Sequence, residues 1–213
     1  INPQDHKHKH NLGQNETYNF IKRHIDKPGR LLDIGCGNGK LLFLAQKDGW
    51  KVKGLELSGF LADSIKKAAG IDVEVCNFLE YKISENDVFD IVVLRHVLEH
   101  LPDSVLAINK INTLLKTGGY AALEFPNIEG FDLKFKRFLG KTGLHKKKYS
   151  PDYKPGHCNE FCKDSFEFLL AKTGFKLEIW YTYSSKPFFK PLFNLIYNIF
   201  NSGNKARVLI RKT

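Results

Sequence analysis

The strongest constraint on this chain is a glycine-rich loop that directly follows a short apolar stretch. Residues 31–40 read LLDIGCGNGK, with glycine at positions 35, 37 and 39. Because glycine has no Cβ, such a loop turns sharply and lets a ligand approach the backbone closely. The next residues, LLFLA, continue as a predicted helix. Strand, loop and helix together predict the first unit of a doubly wound α/β sheet, with a cofactor site at the loop.

An acidic residue at the end of the next apolar stretch supports a nucleotide-type cofactor. Glu56 lies 21 residues after Gly35, and an acid at about that distance binds ribose hydroxyls in such folds. We predict that Glu56 accepts two hydrogen bonds from a ribose diol, because an ionised carboxylate has two adjacent acceptor oxygens. The alternative is a surface acid at a strand end.

Two cofactors compete for this loop, and its charges separate them. A dinucleotide site prefers a small residue where this chain has Lys40. Asp33, at the entrance of the loop, would repel an anionic pyrophosphate and attract a cation. S-adenosylmethionine carries a sulfonium and an ammonium group, so the acid favours it over a dinucleotide.

At these residues the chain resembles the class I S-adenosylmethionine-dependent methyltransferases, whose first motif has the form acid-x-Gly-x-Gly-x-Gly. Residues 95–103, RHVLEHLPD, are similar to a stretch common in small-molecule members, and 115–120, LKTGGY, are similar to the turn before their fifth strand. The three motifs occur in order. The resemblance implies an α/β fold with a doubly wound, mostly parallel seven-stranded sheet and helices on both faces.

The alternation of apolar stretches and turn residues predicts the elements of one domain over residues 1–213. We expect helices over 15–26, 39–48, 59–69, 102–115 and 165–173, and strands over 30–34, 51–56, 73–76, 89–94, 120–125, 176–183 and 206–211. Two stretches exceed plain connections. We expect 128–156 to be an insertion that covers the acceptor, and 187–204 to be an apolar excursion.

The resemblance also implies which residues bind S-adenosylmethionine. These are Asp33, Gly35, Cys36, Gly37, Gly39, Glu56, Leu57, Asn77, Phe78 and Arg95. After the third strand, members of the family often carry an acid that accepts from the adenine amino group. This chain has Asn77, whose amide oxygen also accepts, and Phe78, which offers a backbone donor and an apolar wall. Arg95 ends the fourth strand, beside the methionine part of the cofactor.

Two histidines are candidates for a catalytic base. His96 follows the fourth strand, and its unperturbed pKa near 6.5 suits a base at neutral pH; a structural hydrogen bond is the alternative. His157 precedes Phe161 as a histidine precedes a phenylalanine in related methyltransferases. We expect no metal ion, because His157, Cys158, Glu160 and Cys162 match no standard zinc spacing. We expect the four cysteines to be reduced thiols.

The net charge of +10 is unevenly distributed. Residues 133–151 contain seven basic residues and no acid, with phenylalanine and leucine between them. Such a segment suits an anionic membrane, a phosphate-bearing substrate or a nucleic acid, and a solvated helix over the site is the alternative. Residues 188–200, FFKPLFNLIYNIF, are too short to span a bilayer and too apolar to be left in water.

These features lead to one main functional hypothesis. We expect methyl transfer to the oxygen of a small, lipophilic or membrane-proximal acceptor, such as a quinone precursor or a lipid-linked intermediate, with S-adenosylhomocysteine as product. We expect a cytoplasmic protein with peripheral membrane contact through 133–148 and 187–200, since the chain shows neither a secretory signal nor about 20 consecutive apolar residues. The alternatives are RNA or protein methylation, and a non-catalytic cofactor-binding module. No Asn/Asp-Pro-Pro-aromatic motif follows the fourth strand, which disfavours nucleic acid.

Overall fold

A computed structural model of the protein describes residues 9–131, 134, 156–184, 197 and 199–213. The strands are β1 (Arg30–Ile34), β2 (Lys51–Glu56), β3 (Asp72–Val75), β4 (Phe89–Arg95), β5 (Leu115–Pro126), β6 (Phe175–Tyr183) and β7 (Lys205–Lys212). The α-helices that lie wholly within the described residues are α1 (Lys9–His24), α2 (Lys40–Lys47), α3 (Gly59–Ala69), α4 (Ser104–Leu114) and α5 (Lys163–Leu170).

The seven strands form one sheet in the order β3-β2-β1-β4-β5-β7-β6. β1 pairs in parallel with both β2 and β4, and β7 is antiparallel to both β5 and β6. The predicted fold class is therefore confirmed. The strand order reverses between β1 and β4, and doubly wound sheets bind their ligands beyond the carboxyl ends of the strands at such a switch point.

The core consists of two apolar layers, one on each face of the sheet. Alternate residues of β1 and β4 enter opposite layers, because successive side chains of a strand point to opposite faces. Leu32 and Val92 pack with α4 and α5, whereas Leu31 and Ile91 pack with α1, α2 and α3. Burial on both faces explains the continuous apolar run of β4.

Two predicted elements begin more than three residues away from where the structure has them. The first helix begins at Lys9 and ends at His24 rather than spanning 15–26. Tertiary contact extends it: Gln14 Oε1 accepts a hydrogen bond from the backbone N–H of Leu41, which ties the early turns to α2. β5 begins at Leu115 rather than at 120, because Leu115 pairs with Phe89 across a register shift.

Both excursions fall largely outside the described residues. Of the insertion, the structure describes residues 128–131, 134 and 156, so the prediction for the basic segment 133–148 lies outside them except at 134. Of the apolar excursion, residues 197 and 199–204 are described. None of the helices in the described part of the chain has the length and apolarity that crossing a bilayer requires. All four cysteines are free, as predicted.

Candidate active site

The glycine loop takes the conformation that its sequence predicts. Gly35 and Gly39 have φ angles of 69° and 72°, in the left-handed region that side chains disfavour. Space is equally restrictive: a Cβ on Gly35 would lie 2.5 Å from Val97 Cγ2, and one on Gly39 would lie 2.7 Å from Ile65 Cγ1. Glycine is therefore required at both positions to close the loop against α3 and the segment that follows β4.

A cavity of about 520 Å³ opens at the carboxyl ends of β1, β2 and β4. It is lined by Ile34, Gly35, Leu55, Glu56, Leu57, Cys76, Asn77, Phe78, Leu79, His96, Val97, His100, Leu101 and Pro102. Six of the predicted site residues are thus brought together here: Gly35, Glu56, Leu57, Asn77, Phe78 and His96. The position at the switch point and the mixed apolar and polar lining fit a nucleoside.

Glu56 is held in a fixed orientation by two backbone amides. Its Oε2 accepts a hydrogen bond from the N–H of Gly37 at 2.8 Å, and its Oε1 accepts one from the N–H of Ser58 at 3.1 Å. Each oxygen keeps further acceptor capacity toward the cavity. The carboxylate is therefore already placed to accept from two adjacent hydroxyls, as a ribose diol requires.

The far end of the cavity is suited to a flat aromatic group. Phe78 is buried and Leu57 is exposed, and both present apolar surface to the cavity. Asn77 Oδ1 accepts from the N–H of Leu79 at 3.1 Å, and its Nδ2 donates to Glu80 Oε1 at 3.1 Å. These bonds fix the amide, and the remaining lone pair of Oδ1 is what a donor on the ligand would use.

The other predicted cofactor residues do not line the cavity. Cys36 is buried in the apolar layer under α2, and its sulfur lies 3.0 Å from where a Cβ on Gly54 would stand. Burial raises the pKa of this thiol far above its usual range, so it stays protonated. Gly37 acts through its amide on Glu56, and Gly39 begins α2.

Asp33 lies beneath the loop and is 4% exposed. Burial raises its pKa to about 7; Arg95 opposes this shift and Glu56 adds to it. The negative charge of Asp33, which the sequence analysis took to be full at neutral pH, is therefore only partly present without a ligand. A cation bound nearby would restore it, because an opposite charge favours the ionised carboxylate.

A buried carboxylate gathers the charged residues beside the cavity, and we name this group the Glu124 cluster: Glu124 with Arg95, His96, Lys205 and Arg207. Glu124 Oε2 accepts from Arg207 Nε at 3.0 Å and from Thr17 Oγ1 at 2.7 Å. Its Oε1 lies 3.3 Å from Arg95 Nη2. Burial acts to raise the pKa of Glu124, but His96 and the two arginines outweigh it and hold the pKa well below its usual range.

His96 lies between two carboxylates. Its Nδ1 lies 3.1 Å from Glu99 Oε1, and its Nε2 lies 3.2 Å from Glu124 Oε1 and also 3.2 Å from Lys205 Nζ. Burial acts to lower the pKa of His96, but the contacts with Glu124 and Glu99 outweigh it and leave the pKa raised. The geometry therefore favours the imidazolium.

His157 does not line the cavity, but it contacts a residue that does. Its exposed ring lies 5.0 Å from the ring of His100, edge to face, and His100 Nδ1 is bonded to the carbonyl of Gly156. Within the described residues, potential donor atoms of Glu99, His100 and His157 lie within 4.8 Å of one another. This set differs from the His157, Cys158, Glu160 and Cys162 set considered from the sequence.

Two of these three side chains already have hydrogen-bond partners outside the group. Glu99 Oε1 already faces His96, and His100 already bonds the chain at Gly156.

Sequence reasoning missed most of the Glu124 cluster. Lys205 and Arg207 follow the second excursion, far from any motif, and Thr17 lies on α1. One signal was available: Glu124 interrupts the apolar run of β5, and a charge in a buried strand requires charged or hydrogen-bonding partners.

The matched family model describes a methyltransferase domain and covers residues 6–178. Two curated relatives are ubiquinone biosynthesis O-methyltransferases: that of Burkholderia thailandensis is 32% identical over 108 residues, and that of Coxiella burnetii is 33% identical over 106. These stretches cover 48% and 47% of this chain, and 47% and 45% of the relatives. The match thus spans about half the length of each relative.

Solved structures agree on the fold. A methyltransferase from Archaeoglobus fulgidus matches with a TM-score of 0.63 and 18% identity, covering 93% of this chain and 94% of that one. Magnesium protoporphyrin IX methyltransferase from Synechocystis PCC 6803, with bound S-adenosylhomocysteine, matches with a TM-score of 0.66 and 15% identity, covering 96% and 84%. The glycine loop, the placed Glu56 and the family match lead to one conclusion: this chain belongs to the methyltransferase domain family, and it is a class I S-adenosylmethionine-dependent methyltransferase.

Proposed function

We propose that this enzyme methylates an oxygen atom of a small lipophilic acceptor, a phenolic hydroxyl of the kind found in quinone precursors. The observation that carries the proposal is the Glu124 cluster, which brings acid–base groups to the edge of the cofactor cavity through His96. A hydroxyl needs such a group, because it must lose its proton as it becomes methylated. The O-methyltransferase names of the two curated relatives support the same choice.

Different cavity residues bind different parts of the cofactor. Glu56 binds the ribose hydroxyls, Phe78 and Leu57 enclose the adenine, and Asp33 provides negative charge beneath the loop. When bound, S-adenosylmethionine supplies a methyl group on a sulfonium, which is already a good leaving group. The chain therefore contributes alignment of the acceptor, exclusion of water and a place for the proton.

The lipophilic character of the acceptor is inferred from one edge of the molecule. Phe131, Ile199 and Phe200 are 55%, 64% and 73% exposed. The two segments that carry them are joined, since the N–H of Phe131 donates to the carbonyl of Ser202 at 2.7 Å. Exposed apolar side chains where the two excursions meet favour a lipophilic acceptor or a lipid surface.

The test is a labelled-methyl assay with matched acceptors. Protein is incubated with trideuteromethyl S-adenosylmethionine and one of four acceptors: a catechol with a short isoprenoid tail, the same catechol without the tail, an aromatic amine of similar size, or total RNA. We expect O-methylation of both catechols, with the lower KM for the tailed one. Label that appears only in the amine or the RNA would overturn the proposal.

The control variant is Glu56→Gln, which keeps the size of the side chain and removes its charge. It should lower labelling of every acceptor equally, because Glu56 contacts the cofactor and not the acceptor. Peripheral membrane contact stays a prediction. RNA or protein methylation stays the alternative, and the RNA arm of the assay tests its first part directly.

A further inference from the structure

Lys205 lies where the acceptor must approach. It is the first residue of β7 and pairs with Pro126 of β5 and Tyr183 of β6. Because β7 is antiparallel to its neighbours, its first residue lies at the carboxyl edge of the parallel strands, where the cavity opens. Lys205 Nζ lies 3.2 Å from Nε2 of His96, which lines that cavity.

The charges that face Lys205 do not neutralise it. The oxygens of Glu124 are occupied by Arg207, Thr17 and Arg95. Within the described residues, no carboxylate oxygen lies within ion-pair distance of Lys205 Nζ, which instead contacts the imidazole of His96. Lys205 is half-buried, so its side chain is partly shielded from water and still accessible to a ligand.

The position of the protons follows from these contacts. With Glu99 at one ring nitrogen and Glu124 at the other, His96 is favoured in its doubly protonated form. Two cations 3.2 Å apart in a partly buried site repel each other, and the lysine is the one without a carboxylate. Burial lowers the pKa of Lys205; Arg95 and Arg207 lower it further, while Glu124 and Glu99 act in the opposite direction.

Tyr183 is a weaker candidate for holding a negative charge or accepting the proton. Burial and Glu124 raise its pKa well above the usual range of a phenol, so it remains protonated. Lys205 is thus the cation of the cluster whose charge these contacts disfavour, and its amine lies beside the cavity.

We propose that Lys205 is the general base of the methyl transfer, and that His96 is a positioning residue that holds it at the cavity edge. This rests on the proposed O-methylation. The amine of Lys205 takes the proton of the acceptor hydroxyl, and the acceptor oxygen bonds to the methyl carbon. The carbon–sulfur bond breaks with its electron pair on sulfur, and the ammonium of Lys205 then returns its proton to water.

The first experiment compares acceptors of different acidity, catechol and 4-nitrocatechol. Nitrocatechol ionises far more readily in solution, so it needs no base from the enzyme. We expect Lys205→Arg and Lys205→Gln to lower kcat with catechol by about 10²-fold or more, the usual contribution of a general base, and to change it little with nitrocatechol. Lys51→Gln, an exposed lysine at the start of β2, serves as the matched control and should behave as wild type.

Lys205→Arg decides between a base and a fixed cation. The guanidinium keeps the positive charge but cannot be deprotonated in proteins. Full activity of this variant with catechol would overturn the proposal, because Lys205 would then be binding an anion.

The second experiment does not depend on turnover. The rate of trace acetylation of each lysine is followed against pH by peptide mass spectrometry. We expect Lys205 to titrate below the exposed lysines, whose pKa is near 10.4, and to move towards them in His96→Gln. Coincidence of Lys205 with the exposed lysines in the wild type would overturn its assignment as base. If Lys205 titrates low but neither catechol is methylated, the acceptor class is wrong and the proposed function falls instead.

Discussion

Replacing Asp33 by asparagine should stabilise the ligand-free protein in a pH-dependent way. Asparagine has nearly the same shape and carries no charge, so the change removes the cost of burying a carboxylate. An ordinary aspartate titrates near 3.8, and burial raises the pKa of Asp33 to about 7. One pH unit corresponds to about 1.4 kcal/mol, so full ionisation of Asp33 costs about 4 kcal/mol of folding free energy.

The sign follows from proton linkage. The folded state binds the proton of Asp33 more tightly than the unfolded state does. The contribution of this proton to the stability of the wild type is therefore complete below about pH 4 and is lost as pH rises through about 7. The variant lacks this loss. The difference in free energy of unfolding between Asp33→Asn and wild type should therefore grow by about 1.4 kcal/mol per pH unit from pH 5 to 7 and level off above that.

Urea denaturation of both proteins at half-unit steps between pH 5 and 8.5, without cofactor, measures this difference. Asp63→Asn is the control, because it removes an exposed carboxylate from α3 and leaves the buried Asp33 in place. The same Asp33→Asn variant should bind S-adenosylmethionine more weakly, since it cannot provide charge to a cation. A stability difference between Asp33→Asn and wild type that is constant across this pH range would refute the reasoning about burial.

Three further predictions follow from individual contacts. Glu56→Ala should weaken S-adenosylmethionine binding by about 1–3 kcal/mol, the range for lost hydrogen bonds to a charged group, and unchanged affinity in calorimetry would remove Glu56 from the site. His96→Ala and His157→Ala should leave cofactor affinity intact; turnover should fall in the first, and equal activity of both with wild type would mean that neither is needed. Asp87→Asn should destabilise the protein by about 1–3 kcal/mol at pH 7, because Asp87 accepts from the Tyr81 hydroxyl at 2.6 Å and from Lys53 at 3.3 Å; a urea midpoint equal to that of wild type would contradict this.

The elements that the sequence predicted well are those with local signals. β1 and β2 have the predicted bounds because β1 stops at the glycine loop and β2 stops at Glu56. α3 has its predicted bounds because Ser58 caps its start and Gly70 ends it with φ 64°. The glycine loop was equally readable, since only glycine combines positive φ with close packing.

The parts that could not be predicted depend on contacts between distant segments. The early turns of α1 are fixed by Gln14 reaching the backbone of α2, which no local pattern encodes. Lys205 reaches His96 across 109 positions, only because β7 inserts between β5 and β6. The charge of Asp33 was misjudged for a related reason: its identity is visible in the sequence, but the burial that raises its pKa is not.

The most direct test of the central claim is a crystal structure of the protein with S-adenosylhomocysteine. The account predicts the adenosine in the cavity of about 520 Å³, with both ribose hydroxyls on the Glu56 carboxylate and the adenine between Leu57 and Phe78. Density for the nucleoside at any other place on the protein, with this cavity left empty, would contradict it.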